Sequence, residues 1–438
     1  MRKRVRDEMH ATPPAEQVPT LPVAAQSFEE RWARFRASGP QDVCSIYEVE
    51  ERFRRWLYLP DAGIIHVTLG AIAANLLPGP PIWLMLVGPP SSGKTEPVMA
   101  CSKLPGVHFA ATLIEAALLS GSPKRERAAD ATGGLLRAIG DFGIVVCKDF
   151  GSVLSMNRDT RAATIAALSE VFDGSWTRLI GTDGGRTLSW TGKVGFLGCV
   201  TPAIDSAHAV LSAMGERFIY YRLPAADPEL QALRAIQNTG HYVEMGRDLA
   251  DAVSGLFRAV KLEGIEITTM EAASRFVSLA ALVAQARSSV ERDGRTREVE
   301  LVPEAEMPAR VAQELIALDD GMRIIGTKPE ERWQLVCKVA FDSLPALRRR
   351  LRFAAIQSET HCTTADFALL VGHPTSTARR ALEDLAAHSI LRRLKLTSNS
   401  DAWEVTEKTR ERWNMAGVQI PEMSEDPQES FSEMSGGL

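Results

Sequence analysis

No stretch of this 438-residue chain is long and apolar enough to span a bilayer. Its most hydrophobic region, residues 63–88, is interrupted by Pro78, Pro80 and Pro81. Neither half reaches the ~20 apolar residues a spanning helix needs, so the region reads as a buried helix, a turn and a core strand. The N-terminus "MRKRVRDEMH" is charged and lacks the apolar segment of a secretory signal. The six cysteines (Cys44, Cys101, Cys147, Cys199, Cys337, Cys362) form no CxxC pair. This excludes a disulfide framework and a zinc site of the usual spacing, and it fits a reducing cytoplasm. The eight histidines fall singly, without metal-ligand spacing. Neither sign of charge dominates: the net charge is −5, so any basic surface must be local. What is abundant is apolar residue, 45% of the chain, enough for a large core in two or three domains.

Residues 1–27 are rich in Pro, Ala and charge and are expected to be disordered, as is the acidic, Ser/Gly-rich tail 419–438. Residues 28–62 carry two amphipathic helical patterns, "SFEERWARFRA" and "YEVEERFRRWLYL". Residues 63–226 alternate short apolar runs with helical patterns, which predicts an α/β unit on a parallel sheet. Helical periodicity dominates residues 227–345, and residues 346–418 form a compact unit of their own.

The strand "IWLMLV" (82–87) runs into Gly88, Pro89, Pro90, Ser91, Ser92, Gly93, Lys94 and Thr95, then into a helical segment. This is GxxxxGK[ST] in the strand–loop–helix context that the motif requires. Backbone N–H groups of such a loop, with the following helix N-terminus, cradle phosphate oxygens. Lys94 would reach the β- and γ-phosphates of ATP or GTP, and Thr95 would ligate Mg²⁺.

A second core strand, "GIVVC" (143–147), runs into Lys148, Asp149 and Phe150, with Asp149 the natural magnesium-side acid. A third, "KVGFLGCV" (193–200), ends at Thr201, which either positions an attacking water between the phosphate-side strands or simply caps its own. Arg217 precedes a further apolar strand, as a solvated charge or as a cation for a neighbour's phosphate.

"SWTRLIGTDGGRTLSW" (175–190) is two alternating segments around Asp-Gly-Gly, a strong hairpin signal, with Arg178 and Arg186 near its tip. Residues 363–413 read as helix, His-Pro turn, helix and β-wing, a winged helix-turn-helix. Thr364 is the expected N-cap of its first helix, and Thr375 or Ser376 of its second. Ser376, Thr377, Arg379 and Arg380 would lie where base edges and phosphates are met, and Arg392, Arg393 and Lys395 in the wing would add phosphate contacts. Such modules also dock on proteins, and Asp366, Glu383 and Asp384 dilute the basic face.

From about residue 60 to 345 the order of these elements resembles an AAA+ ATPase of the pre-sensor-1 hairpin type, most closely the MCM-like branch. "GPPSSGKT" matches Walker A, and residues 132–150 resemble the helix-2 insert hairpin running into Walker B. Residues 169–202 resemble the helix, pre-sensor-1 hairpin and sensor-1 strand, with Thr201 where Asn often stands. "GERF" (215–218) resembles the "SRF" that carries a trans arginine finger, which implies that role for Arg217. Residues 308–325 resemble the sensor-2 helix, which implies Arg310 as its arginine, with Arg275 as runner-up. The pattern is also similar to ATPases encoded on phages and integrated mobile elements.

The resemblance implies an ATP- and Mg²⁺-dependent ATPase assembled as a homo-oligomeric ring (a hexamer) or filament, and the lack of a long apolar run implies no membrane partner. It implies hairpin arginines that line a pore and grip DNA during translocation, unwinding or loading. One departure matters: Walker B of that branch ends Asp-Glu, and here Phe150 follows Asp149. With the register slipped by one, Asp149 becomes the base and Lys148 takes the metal position. Glu170 or Asp173, at the end of the next helix, are the other acids considered as base. The alternative function is a nucleotide-gated switch or protein remodeller, with the winged helix or the tails as docking modules.

Overall fold

A computed structural model describes residues 27–38, 43–120, 133–180, 186–208, 211, 215–262, 269–358, 360–397 and 399–419. The expected disordered ends and the hairpin tip at 181–185 lie outside the described residues, apart from Ser27 and Gln419.

Helices α1 (Phe28–Ala37) and α2 (Ile46–Trp56) precede α3 (Gly63–Leu76). The start of α2 is written in "SIYE": Ser45 and Glu48 form a capping box that satisfies two end N–H groups. Helix α3 is apolar all round, and every residue from Ile64 to Asn75 is buried.

Next come β1 (Trp83–Val87), α4 (Glu96–Met99), β2 (Val107–Phe109), α5 (Glu115–Leu118), α6 (Leu135–Ile139) and β3 (Phe142–Cys147). They are followed by α7 (Gly151–Leu154), α8 (Arg158–Phe172), the strands β4 (Ser175–Ile180) and β5 (Arg186–Thr191), then β6 (Lys193–Val200) and β7 (Ile219–Arg222). The central sheet has the order β2-β3-β6-β1-β7, and every pair in it is parallel. This is the α/β core the sequence implied, with the "KVGFLGCV" strand lying between the P-loop strand and the Asp149 strand. Alternation sends Leu84 and Leu86 to one face and Trp83, Met85 and Val87 to the other, into two separate cores.

The helical half contains α9 (Pro228–Gln237), α10 (Tyr242–Ala259), α11 (Met270–Arg287), the short pair β8 (Glu291–Arg292) and β9 (Val299–Leu301), α12 (Ala309–Ile324) and α13 (Pro329–Asp342). Helix α3 packs closely on α12. A Cβ on Gly321 would strike the Gly70 carbonyl, so the two backbones meet only because both positions are glycine. The C-terminus of α13 seals the exposed edge of β7: Ser343 Oγ accepts from Tyr220 N–H at 3.0 Å, and Asp342 Oδ2 from Arg222 N–H at 2.8 Å.

The C-terminal unit is α14 (Ala346–Gln357), β10 (Cys362–Thr363), α15 (Thr364–Leu370), α16 (Thr375–Ala387), β11 (Leu391–Lys395), β12 (Asp401–Val405) and α17 (Glu407–Ala416). Its three strands pair in the order β10-β12-β11, beside the helix pair α15 and α16. Two caps differ from expectation. Thr363, not Thr364, caps α15 through a box with Asp366, while α16 starts after Pro374 with no side-chain cap. The residue before a helix must be extended, and Thr363 at φ −72°, ψ 165° is. One apolar core runs from Trp32 through the sheet and helical half to Trp413. Among the described residues no helix is long and apolar enough to cross a membrane.

Candidate nucleotide site

Strand β1 is buried throughout, so its run of apolar residues ends abruptly where the chain emerges at the C-terminal edge of the sheet. There Gly88 N–H donates to Val200 O at 3.1 Å, which ties the loop to the end of β6. Ser91 (φ 61°) and Gly93 (φ 77°) turn the loop through left-handed backbone. The helix that follows is shorter than expected. Helix α4 is one turn, continued by a 3₁₀ turn over Ala100–Lys103, so little macrodipole stands behind the loop. The backbone N–H groups of Gly93, Lys94 and Thr95 make no backbone hydrogen bond to another described residue. Ser92 Oγ is buried with no partner among the described residues. A phosphate would satisfy such donors.

Lys94 is buried and donates from Nζ to Pro89 O at 2.9 Å, across its own loop. Burial lowers its pKa, opposed by the neighbouring Cys199 and Asp149 side chains. Asp149 follows β3 as an exposed residue, and its Oδ1 accepts from Gly151 N–H at 2.9 Å. The end of β6 lies between the two loops, since Phe150 N–H donates to Cys199 O at 2.9 Å on one side and Gly88 N–H reaches Val200 O on the other. Thr201 is the next residue. Lys94, Thr95, Asp149 and Thr201 therefore converge at one edge of the sheet.

Phe150, where the resemblance calls for a second acid, is a core residue. Its ring lies 5.9 Å from Phe196 and 5.5 Å from Phe218. Glu170 and Asp173 do not replace it. Helix α8 runs back along the sheet, so both acids stand at the opposite edge, where Asp173 pairs with Arg217 at 3.0 Å. Glu96, beside Thr95, is partly buried, and burial raises its pKa.

Arg217 and Arg310 also lie at that opposite edge. Residues 215–218 lead into β7, which is parallel to β1, so they adjoin the start of the strands whereas the P-loop leaves their end. Five residues of β1 separate the edges by about 16 Å. A Cβ on Gly215 would lie 3.4 Å from Arg217 Nη1 and 3.6 Å from Arg310 Nη2, so the two guanidinium groups flank one glycine. The sequence did not announce the buried network behind them. Arg310 bonds Glu306 at 2.7 Å, and Glu306 bonds the fully buried Arg287 at 2.7 Å. Glu216 and Glu314 are buried nearby, and burial pushes the Glu314 carboxyl up to about 8. Arg275, the other sensor-2 candidate, stacks 4.0 Å over Trp333 instead.

The nucleic-acid candidates are scattered. Strands β4 and β5 pair as an antiparallel hairpin, with Trp176 opposite Trp190, but the insert hairpin expected before β3 is the short helix α6 among the described residues. Arg178 is tied back to Glu115 at 2.9 Å and to Leu119 O at 2.6 Å. Arg186 opens β5 opposite Ile180. At the start of α16, Thr375 and Ser376 are exposed, Thr377 is half-buried and Arg380 is exposed. Asp401 collects Arg379 at 2.7 Å, Arg393 at 2.5 Å and Lys395 at 2.7 Å, and Arg392 pairs with Glu404. Gln231, which sequence reasoning passed over, donates from Nε2 to Ser91 O in the P-loop at 3.3 Å. Its helix starts at Asp227, whose side chain accepts from Glu229 and Leu230 N–H, with Pro228 as the first helical residue.

No family model matches the chain, and no curated protein matches it. Solved structures do. A candidate ATPase from Cytophaga hutchinsonii is 15% identical over 72% of this chain and 88% of that one, with a TM-score of 0.39. The apo C-terminal region of NrS-1 is 10% identical over 85% and 78%, with a TM-score of 0.27. The S. cerevisiae Hsp104–ADP complex is 13% identical over 89% of this chain and 57% of that one, with a TM-score of 0.25. Likenesses this loose carry no weight for function, and the reading of the site rests on the sheet order and the loop at its edge.

Proposed function

We propose that this protein is a DNA-associated ATPase of the AAA+ type, working as a head-to-tail homo-oligomer whose ATP sites are shared between neighbours. The observation that carries the reading is the split between the two edges of the sheet. Lys94, Thr95, Asp149 and Thr201 lie at one, Arg217 and Arg310 at the other. An arginine too far from its own P-loop is well placed to serve the next copy's.

In this reading the loop N–H groups and Ser92 take the phosphates, and Lys94 leaves Pro89 O for the β- and γ-oxygens. Thr95 and Asp149 would hold Mg²⁺, which supplies charge neutralisation on the phosphates when bound. Thr201 orients water at the end of β6. Arg217 and Arg310 of the neighbour stabilise charge on the transferring phosphoryl group. The helix-turn-helix contributes DNA contact through the exposed start of α16, and Arg178 and Arg186 through the hairpin.

A second reading is a slow nucleotide-gated switch with a protein-docking wing. It is favoured by Phe150 in the core and by wing cations already paired with Asp401 and Glu404. Steady-state ATP hydrolysis with and without DNA, across a salt series, separates the two. DNA-stimulated turnover that falls steeply with salt supports the motor. Tight ATP binding with negligible turnover under all conditions supports the switch.

A further inference from the structure

Helix α9 is held to the rest of the protein by its polar side chains. Arg234 donates to Arg55 O at 3.4 Å and Asn238 to Trp56 O, both at the end of α2, while Leu230, Leu233 and Ile236 stay exposed. Asp227 caps the first turn and Pro228 opens it, so the start of the helix is fixed. The residue that this turn delivers to the phosphate loop is Gln231. Its Nε2 donates to Ser91 O at 3.3 Å, across 140 residues of sequence. Nε2 would also lie 3.9 Å from a Cβ on Gly93, so one amide covers both residues that turn the loop through positive φ.

Gln231 meets the loop where the backbone needs holding. Ser91 has φ 61°, a conformation uncommon for a residue with a side chain. The peptide joining Ser91 to Ser92 is trans, so its carbonyl and its N–H point opposite ways. With the carbonyl turned out to Gln231, the Ser92 N–H turns toward Pro89 O, at 3.4 Å. Lys94 Nζ donates to the same oxygen at 2.9 Å. The bond from α9 therefore fixes which way the 91–92 peptide faces, and with it the donors that line the loop. The amide's own orientation is fixed in turn. Ser91 O takes only a donor, so Oε1 faces away from it, buried and without a partner among the described residues. A buried acceptor left unpaired costs stability, and a side chain that only seated the helix would not carry one. We infer that Gln231 is a positioning residue for phosphate binding: it holds the strained 91–92 peptide in the orientation that aims Ser92 N–H and its neighbours at a nucleotide's phosphates. The inference rests on reading residues 88–95 as a phosphate loop, and it adds to that loop a residue from the helical half.

The test is calorimetric titration of Mg²⁺-ATP into the full-length protein and its variants. Gln231→Ala should weaken binding about fivefold, the net worth of one neutral hydrogen bond. Gln231→Glu should do worse, because a carboxylate has no donor for Ser91 O and adds negative charge beside the phosphates. Arg234→Ala removes a neighbouring anchor of α9 but leaves the loop bond, and it should bind ATP as the wild type does. In a Ser91→Gly background, where positive φ carries no Cβ penalty, Gln231→Ala should cost less than about twofold. None of these side chains belongs to the hydrophobic core, so melting temperatures should stay at the wild-type value. Wild-type affinity in Gln231→Ala, an equal loss in Arg234→Ala, or an undiminished loss in the glycine background would each overturn the inference while leaving the phosphate loop itself intact. A wild type that binds no nucleotide strikes the phosphate-loop reading first, and this inference with it.

Discussion

Asp173 and Arg217 form a 3.0 Å ion pair at the root of the β4–β5 hairpin, with the guanidinium also 5.6 Å over the Phe172 ring. The arginine proposed to serve a neighbour's P-loop is therefore held, within its own chain, by the first residue after α8. It is positioned at the far edge of the sheet from Lys94, and that placement sets the first prediction.

Arg217→Ala should leave nucleotide affinity largely intact and reduce hydrolysis by roughly a thousandfold, the usual worth of an arginine finger. Lys94→Ala should remove nucleotide binding itself. Titration with a fluorescent ATP analogue, alongside phosphate release, distinguishes the two. Partial recovery of turnover on mixing the variants supports a shared site, and wild-type hydrolysis by Arg217→Ala would remove that residue from the reaction.

Phe150 cannot be converted into a catalytic base by substitution. Phe150→Glu places a carboxylate among Phe196, Phe218 and Trp83, where an unpaired charge is strongly disfavoured. Phe150→Ala should cost about 3 to 5 kcal/mol of stability. Phe150→Glu should cost at least as much and restore no turnover, as read by thermal unfolding and ATPase assay. A stable, faster Phe150→Glu enzyme would show that the ring is not structural.

Glu314 gives the protein a pH-dependent core. Its pKa is raised to about 8 by burial, from an ordinary value of 4.5, with Arg287 and Arg310 opposing the rise. Between those values the folded state holds the proton more tightly than the unfolded state. The associated stability is fully present below 4.5 and is lost as pH climbs through 8. Glu314→Gln should therefore gain on the wild type as pH rises, with the difference in melting temperature widening by about 2 °C between pH 6 and pH 8. A difference that is flat across this range would place the carboxyl in a more polar setting than the structure gives it.

On the helix-turn-helix, Arg380 and Arg393 should behave differently. Arg380 is exposed at the outer face of α16, whereas Arg393 is spoken for by Asp401. Arg380→Ala should weaken DNA binding evenly across sequences and reduce the salt slope by about one. Arg393→Ala should change it less. Fluorescence anisotropy over a salt series checks both, and equal, negligible effects would favour the protein-docking reading.

Much of this was legible in the chain itself. The P-loop needs only local chemistry: an apolar strand, small residues able to turn through positive φ, then Lys94 and Thr95. The cap at Ser45, the hairpin around Asp-Gly-Gly and the helix-turn-helix are likewise short-range patterns. Periodicity also placed the parallel sheet, because buried strands and amphipathic helices differ in repeat.

Tertiary structure decided the rest, because it depended on which edge of the sheet a residue reaches. Glu170 and Asp173 follow Asp149 closely in sequence, yet α8 carries them about the height of the sheet away. Arg217 and Arg310 are separated by the whole of α9, α10 and α11, yet they flank one glycine. The inward-facing polar side of α9 was invisible for the same reason. Sequence spacing reports the period of a helix and the chemistry of its faces, but which face meets the protein is set by what packs beside it, here a loop carbonyl at Ser91 that takes Gln231 and leaves Leu233 and Ile236 outside.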